Sequence, residues 1–239
     1  IRTPMNAVTG LSEIMMNDKA GFKPEYLYAI RRGMDDLKNT VDRLVLISKF
    51  QLNFYDINIE EVDLKNYFEE LKQTISQRKN FLKKDEVSLD FFIDFLNAPE
   101  YFSSDVYILN SVLNELIENA LKFTEKGLIS VYASYSDNQL TVKVKDTGIG
   151  ISPKNHKIIF ERFSQEEKEI ALKHGGLGLG LSISKENAKL LGGDITLESE
   201  KGQGSTFYVT LAYKPGRSIQ DSSTTSSSDD SKEIDELIF

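Results

Sequence analysis

The chain has 239 residues, 40% of them hydrophobic, enough to build a real core as one large domain or as a small one plus a medium one. Its formal net charge of -8 argues against a nucleic-acid-binding face and against docking on an anionic membrane surface. No cysteine and only two histidines are present, which excludes disulfides and thiolate metal sites and disfavours a histidine-rich metal centre.

No apolar run is long enough to cross a bilayer and no signal peptide is visible. The start at Ile1-Arg-Thr-Pro, without an initiator Met, reads as part of a longer protein. Residues 1 to about 18 read as a helix, because Met5, Val8, Leu11 and Met15 recur at helical spacing and Pro4 is tolerated near a helix start. Gly21 and Pro24 mark a turn. A longer helix follows to about Leu52. Its Leu27, Ile30, Met34, Leu37, Val41 and Leu44 alternate steps of three and four, a heptad seam. Two antiparallel helices cannot bury both stripes alone, so a dimeric four-helix bundle is expected; the competitor is a hairpin packed on the rest of its own chain.

From Asp56 the pattern changes. Ile57, Ile59 and Glu61 begin a short strand, and Asp63 can cap a helix running to about Lys79. Val87 to Phe95 and Tyr101-Phe102 read as strands, and Asp105 caps a helix to about Phe123. Strands over Leu128–Tyr135 and Gln139–Asp146 flank a Ser136-Asp137-Asn138 turn. A short helix is expected from Pro153 to Phe160, and another from about Gly178 to Leu191, ended by Gly192-Gly193. A last hairpin pairs Asp194–Glu198 with Ser205–Tyr213. The expected fold is α+β. A helical hairpin over 1–54 precedes an α/β sandwich over 55–215, with one mixed sheet and helices on one face. Residues 216–239 read as a disordered linker or tail, rich in Ser, Thr and Asp, whose apolar last seven residues have no assigned role.

The chemistry centres on Asp146-Thr-Gly-Ile-Gly-Ile-Ser152. Asp146 keeps the parity of Val142 and Val144, so its carboxylate should point inward, where a lone ionised acid is costly. A ligand's donor would satisfy it, and Gly148 and Gly150 would let that ligand approach the backbone. A carboxylate accepts from the exocyclic amine of adenine and repels the carbonyl of guanine, which points to an adenine-nucleotide site. A polar turn between strands is the competing reading. On the helix before it, Leu109, Leu113, Leu116 and Ala120 form the core stripe, while Glu115, Asn119 and Lys122 share another face. A possible base, a neutral oxygen ligand and a cation suit a magnesium-triphosphate site, but an ordinary solvated face would look the same. Gly175-Gly-Leu-Gly-Leu-Gly-Leu181 could present amides to phosphate at a helix start, although it fits neither the Walker nor the Rossmann spacing.

The order of these pieces resembles the sensor histidine kinases of two-component signalling, over nearly all of the chain from Ile1 to about Tyr213. Ile1-Arg-Thr-Pro-Met-Asn6 is similar to the segment after the phospho-accepting histidine of the HisKA-type dimerisation domain. Asn119-Ala120 with Lys122-Phe-Thr124 resembles the asparagine box, and Asp146 to Ser152 the first glycine box. Phe160-Glu-Arg-Phe163 resembles the phenylalanine box, Gly176 to Leu181 the second glycine box, and Gly202 to Phe207 the closing hairpin.

The resemblance implies ATP and Mg2+ as cofactors. Asp146 would bind the adenine amine, Asn119 the metal and Lys122 a phosphate. Gly148 and Gly150 would shape the adenine floor. Gly176, Leu177, Gly178, Leu179 and Gly180 would line the phosphates, with a lid from about Ser164 to Gly175 that Phe160 and Phe163 could pin. It implies a homodimer through the hairpin and a response-regulator receiver domain, separate or fused, as partner. It also implies a place in the cytoplasmic portion of a membrane-anchored sensor, with no membrane contact by this segment. The acceptor histidine would lie two positions before Ile1. Thr3 would assist hydrolysis of the phosphorylated regulator. Glu115, where many relatives carry Asn, would act as a general base, as in gyrase-like ATPases. Gln165 stands where some relatives place a phosphate-binding arginine, and Arg162 is close by. His156 and His174 read as surface loop residues. Two competing functions remain: a nucleotide-binding module without catalysis, and a stand-alone gyrase-like ATPase.

Overall fold

A computed structural model describes residues 2–17, 24–52, 54–95, 98, 101–164 and 178–212. Helices α1 (Arg2–Asn17) and α2 (Pro24–Gln51) pack on one another as a hairpin, within a residue of the expected limits. On the seam, Leu27, Met34 and Val41 stay 48%, 57% and 45% exposed, because α1 alone cannot cover them. The last turns of α2 are covered differently. Ile47 and Phe50 are buried against Leu179 and Ile183, so this end of the hairpin does pack on its own chain.

Strand β1 (Glu60–Asp63) begins three residues later than Ile57. Only Val62 there has a buried place, whereas Ile57 and Ile59 are exposed and the backbone N–H of Asn58 is taken by Asp105. Asp63 then caps α3 (Leu64–Phe81), accepting the N–H of Asn66 at 2.9 Å. Strands β2 (Val87–Asp94) and β3 (Tyr101–Ser104) follow. Helix α4 (Val106–Phe123) is capped by Asp105, whose Oδ1 accepts from the N–H of Ile108 at 2.9 Å. The hairpin β4 (Gly127–Ser136) and β5 (Gln139–Asp146) turns through Asp137 and Asn138, both at positive φ. Two-residue turns of that hand match the twist of the strands they join, and Asn and Asp tolerate it.

Two separate 3-10 turns, Pro153–Asn155 and Ile158–Phe160, replace the single short helix expected there. Helix α5 (Gly180–Leu190) starts at Gly180 rather than Gly178, and β6 (Asp194–Glu200) and β7 (Gly204–Ala212) close the described chain.

The main sheet has the order β2-β4-β5-β7-β6, with β2 parallel to β4 and the other pairs antiparallel. The fold is thus α+β with a mixed sheet. One expectation fails: β1 and β3 pair only with each other and form a second, two-stranded sheet. Their four-residue length and their partnership leave them outside the larger ladder. Inward residues of β4, β5 and β7, such as Ile129, Val142, Val144 and Val209, meet Phe68, Leu71, Leu109, Leu113 and Leu116 from the helices in one core. Truncating a fully buried leucine such as Leu113 costs on the order of 2–5 kcal/mol through lost transfer energy and an unfilled cavity.

Candidate functional site

Helix α4 is the spine of the site. Leu109, Leu113, Leu116 and Ala120 are buried, as their spacing requires. Glu115, Asn119 and Lys122 lie on another face and are half-buried, so that face is not an ordinary solvated one. From Glu115 to Phe123 the helix rises about 12 Å, at about 1.5 Å per residue. The start of α5 lies against the first of these positions and the loop after β5 against the last.

At the Glu115 end, space is tight. A β-carbon built on Gly180 would fall 1.7 Å from Glu115 Oε1, so any larger residue there would push that carboxylate aside. Asn119 Nδ2 donates to Glu115 Oε1 at 3.3 Å, and Arg43 Nη2 of α2 donates to Glu115 Oε2 at 2.7 Å. Both carboxylate oxygens are therefore engaged. Burial pushes the Lys122 amine below its ordinary value, while nearby Glu115 raises it and Arg43 lowers it. The Lys122 ammonium also sits 5.0 Å from the centroid of the Phe123 ring.

At the other end, Asp146 follows the inward parity of β5 and is 5% exposed. The donor it was expected to need is supplied in part by the protein itself. Its Oδ1 accepts from the N–H of Gly148 at 2.8 Å, and the N–H of Ser205 on β7 also donates to it. Burial still dominates and raises this carboxyl above the usual aspartate range; the two N–H donors pull the other way.

The two loop glycines answer first to the protein itself. At Gly148 a β-carbon would come within 2.4 Å of Phe123 O, and at Gly150, with φ +63°, within 1.9 Å of Glu200 O. The N–H of Ile149 donates to Phe123 O at 3.3 Å and ties this loop to the last turn of α4. Thr147 Oγ1 accepts from the N–H of Leu128 at 2.9 Å and anchors the other side of the loop.

Other expected residues are placed as follows. Gly178 has φ +66° and abuts Ser164 O, and Leu179 is fully buried against α2. Gly176, Leu177, Gln165, His174 and most of the expected lid lie outside the described residues, as does the expected tail. Thr3 is in α1, but its side chain is not among those described. Phe160 packs edge-on against Phe207 at the edge of the core, whereas Phe163 is 64% exposed at positive φ. Arg162 is exposed. His156 is half-buried, with Nε2 at 3.2 Å from Ile151 O, a link within its own loop.

Sequence reasoning missed Arg43 and Ser205. Arg43 carries no local signal, because its partner is 72 residues away. Ser205 carries none either, because its pairing with Asp146 joins β5 to β7, a strand distant in the chain.

Known proteins resemble this chain in sequence and in fold. Residues 104–215 match the family described as histidine kinase-, DNA gyrase B-, and HSP90-like ATPase. This part of the chain is similar to ATPase domains of that type. The chain is also homologous to histidine kinases of two-component signalling. It is 32% identical over 221 residues to hybrid signal transduction histidine kinase L of Dictyostelium discoideum, covering 90% of this chain and 13% of that protein. Sensor protein GacS of Pseudomonas syringae pv. syringae is 28% identical, covering 93% of this chain and 25% of that protein. The chain thus spans an eighth to a quarter of the length of these curated relatives. Among solved structures, full-length ShkA in complex with AMPPNP superposes with a TM-score of 0.70 at 25% identity, covering 90% of this chain and 44% of that one.

Proposed function

We propose that this chain is the kinase core of a two-component sensor histidine kinase. It binds ATP with magnesium in the α+β unit, residues 55–215, and directs the γ-phosphoryl group to a histidine two positions upstream of Ile1. An aspartate of a response-regulator receiver domain then takes the group from that histidine. The observation that carries the reading is the grouping on α4. Glu115, Asn119 and Lys122 lie between the start of α5, at Gly180, and the loop that holds buried Asp146. Homology to histidine kinases and the AMPPNP bound by ShkA support it.

The residues present fit the cofactors. Magnesium keeps several waters and takes one or two protein oxygens, and the carboxamide oxygen of Asn119 suits that need. Among the described residues no group of three or more His, Cys, Asp or Glu could hold a metal, so the magnesium reading rests on Asn119 and the phosphates. Lys122 offsets phosphate charge. Asp146 accepts from the adenine amine, and Gly178, Leu179 and Gly180 bring backbone N–H groups to the phosphates. ATP supplies the phosphoryl group; the protein's work is positioning and charge neutralisation. Thr3 is assigned to the hydrolysis of the phosphorylated regulator. The engaged carboxylate of Glu115 disfavours a free general base, and with it a stand-alone ATPase.

The exposed stripe of Leu27, Met34 and Val41 supports a homodimer with the seam as its interface. Val41→Asp should convert that dimer to a monomer in sedimentation experiments; an unchanged dimer would remove the seam from the interface. Among the described residues no helix is long and apolar enough to cross a membrane. The unit corresponds to the cytoplasmic portion of a membrane-anchored sensor. The direct test is ATP-dependent labelling of a chain extended upstream to include the histidine. Asn119→Ala and Asp146→Ala should each abolish it. Undiminished labelling in both would refute the site. Binding of labelled nucleotide without any phosphohistidine in the parent would favour a non-catalytic module instead.

A further inference from the structure

Arg43 is the one described residue of the helical hairpin paired by a salt bridge with the face of α4 that carries Asn119. Its guanidinium lies 2.7 Å from Glu115 Oε2, and Glu115 is only 19% exposed. One and two turns further along α2, Ile47 and Phe50 are seated on Leu179 and Ile183 of the α5 start. The ion pair therefore sits at the rim of an apolar contact that fixes where α2 lies.

The second carboxylate oxygen holds Asn119. A carboxylate only accepts, so the carboxamide must turn its NH2 toward Glu115 Oε1, here at 3.3 Å, and its carbonyl oxygen away. That orientation leaves the oxygen, the sole atom of Asn119 able to bind a cation, for a ligand. Glu115 Oε1 occupies the space beside Gly180 that any larger residue's β-carbon would fill. Without Arg43, this carboxylate would turn toward another cation. Lys122, on the same face of α4 and subject to the charges of both Glu115 and Arg43, can compete for it. The hydrogen bond that orients Asn119 would then be lost.

We propose that Arg43 is a positioning residue for the nucleotide site, acting through Glu115 on the carboxamide of Asn119. The hairpin thereby raises the affinity of the site for metal-bound nucleotide when α2 is docked. This rests on the reading of Asn119 as the magnesium ligand. It assigns Glu115 to orientation rather than proton transfer, and it gives the hairpin a part in nucleotide binding as well as in phosphate acceptance.

The test is calorimetric titration of the whole 239-residue chain with AMPPNP, once with magnesium and once with EDTA. The readout is the ratio of the two affinities. Arg43→Ala should lower that ratio about tenfold, the scale of one charge-assisted hydrogen bond between partly exposed groups, with the EDTA affinity unmoved. Arg43→Lys should restore part of it. In a Glu115→Gln background, Arg43→Ala should have no further effect, because its target charge is gone. An unchanged ratio in Arg43→Ala overturns the proposal. So does an equal loss with and without magnesium, which a merely structural role would give. Absence of AMPPNP binding by the parent chain under both conditions would instead overturn the nucleotide reading beneath it.

Discussion

Replacing Asp146 by Asn separates two consequences of one buried acid. The first is recognition. Asn keeps an oxygen for the N–H of Gly148 but turns an NH2 toward the ligand, where the adenine amine also donates. A hydrogen bond to a charged acceptor is worth about 1.5–3 kcal/mol, so ATP affinity should fall about 10- to 150-fold. The second is stability. Burial raises this carboxyl above its usual range. Between the unfolded and folded pKa values the unfolded chain therefore binds fewer protons than the folded one. Stability contributed by this group is present at low pH and is lost as pH rises through the folded value. At neutral pH the ionised carboxylate is thus a cost that Asn removes. The variant should melt higher than the parent at neutral pH, and the gap should close below the ordinary aspartate range. Titration with fluorescent ATP and GTP analogues, and melting curves from acid to neutral pH, measure both effects. ATP affinity within threefold of the parent would refute the adenine assignment. A lower melting temperature at neutral pH would show that the N–H donors of Gly148 and Ser205 outweigh desolvation.

Two further substitutions probe the frame around the site. Gly150→Ala meets a left-handed backbone and a β-carbon position 1.9 Å from Glu200 O, so it should destabilise by at least about 1–2 kcal/mol and lower the melting temperature. Asp105→Ala removes the cap of α4 and the tie to the Asn58 N–H, both at 2.9 Å; chemical denaturation should show a loss of about 1–2 kcal/mol.

Local physics explains why much of this was legible in the sequence. The inward place of Asp146 follows from strand parity, and Asp63 and Asp105 cap their helices because a short acid before an apolar run has N–H groups to accept. The core face of α4 and the separate face of Glu115, Asn119 and Lys122 follow from helical spacing alone. What failed was non-local. The position of β1 depends on Val62 finding its slot opposite Phe102, and nothing near Ile57 reveals that Asn58 is claimed by Asp105. Arg43 is one charge among many on a long helix, and only the packing of the hairpin gives it Glu115 as a partner. A β-carbon at 148 or 150 would also meet Phe123 O or Glu200 O, contacts that no local stretch of sequence reveals. Register with a distant strand likewise gives Asp146 a donor, the N–H of Ser205, that the heptapeptide does not contain.

Helix α4 keeps its core leucines and the proposed ligand residues on different faces of one cylinder. Leu109, Leu113 and Leu116 hold the architecture, while Asn119 and Lys122 contribute little to the core. Selection can therefore erase the chemical side and leave a well-folded descendant, able to persist as a silent scaffold whose lost activity no stability measurement would reveal.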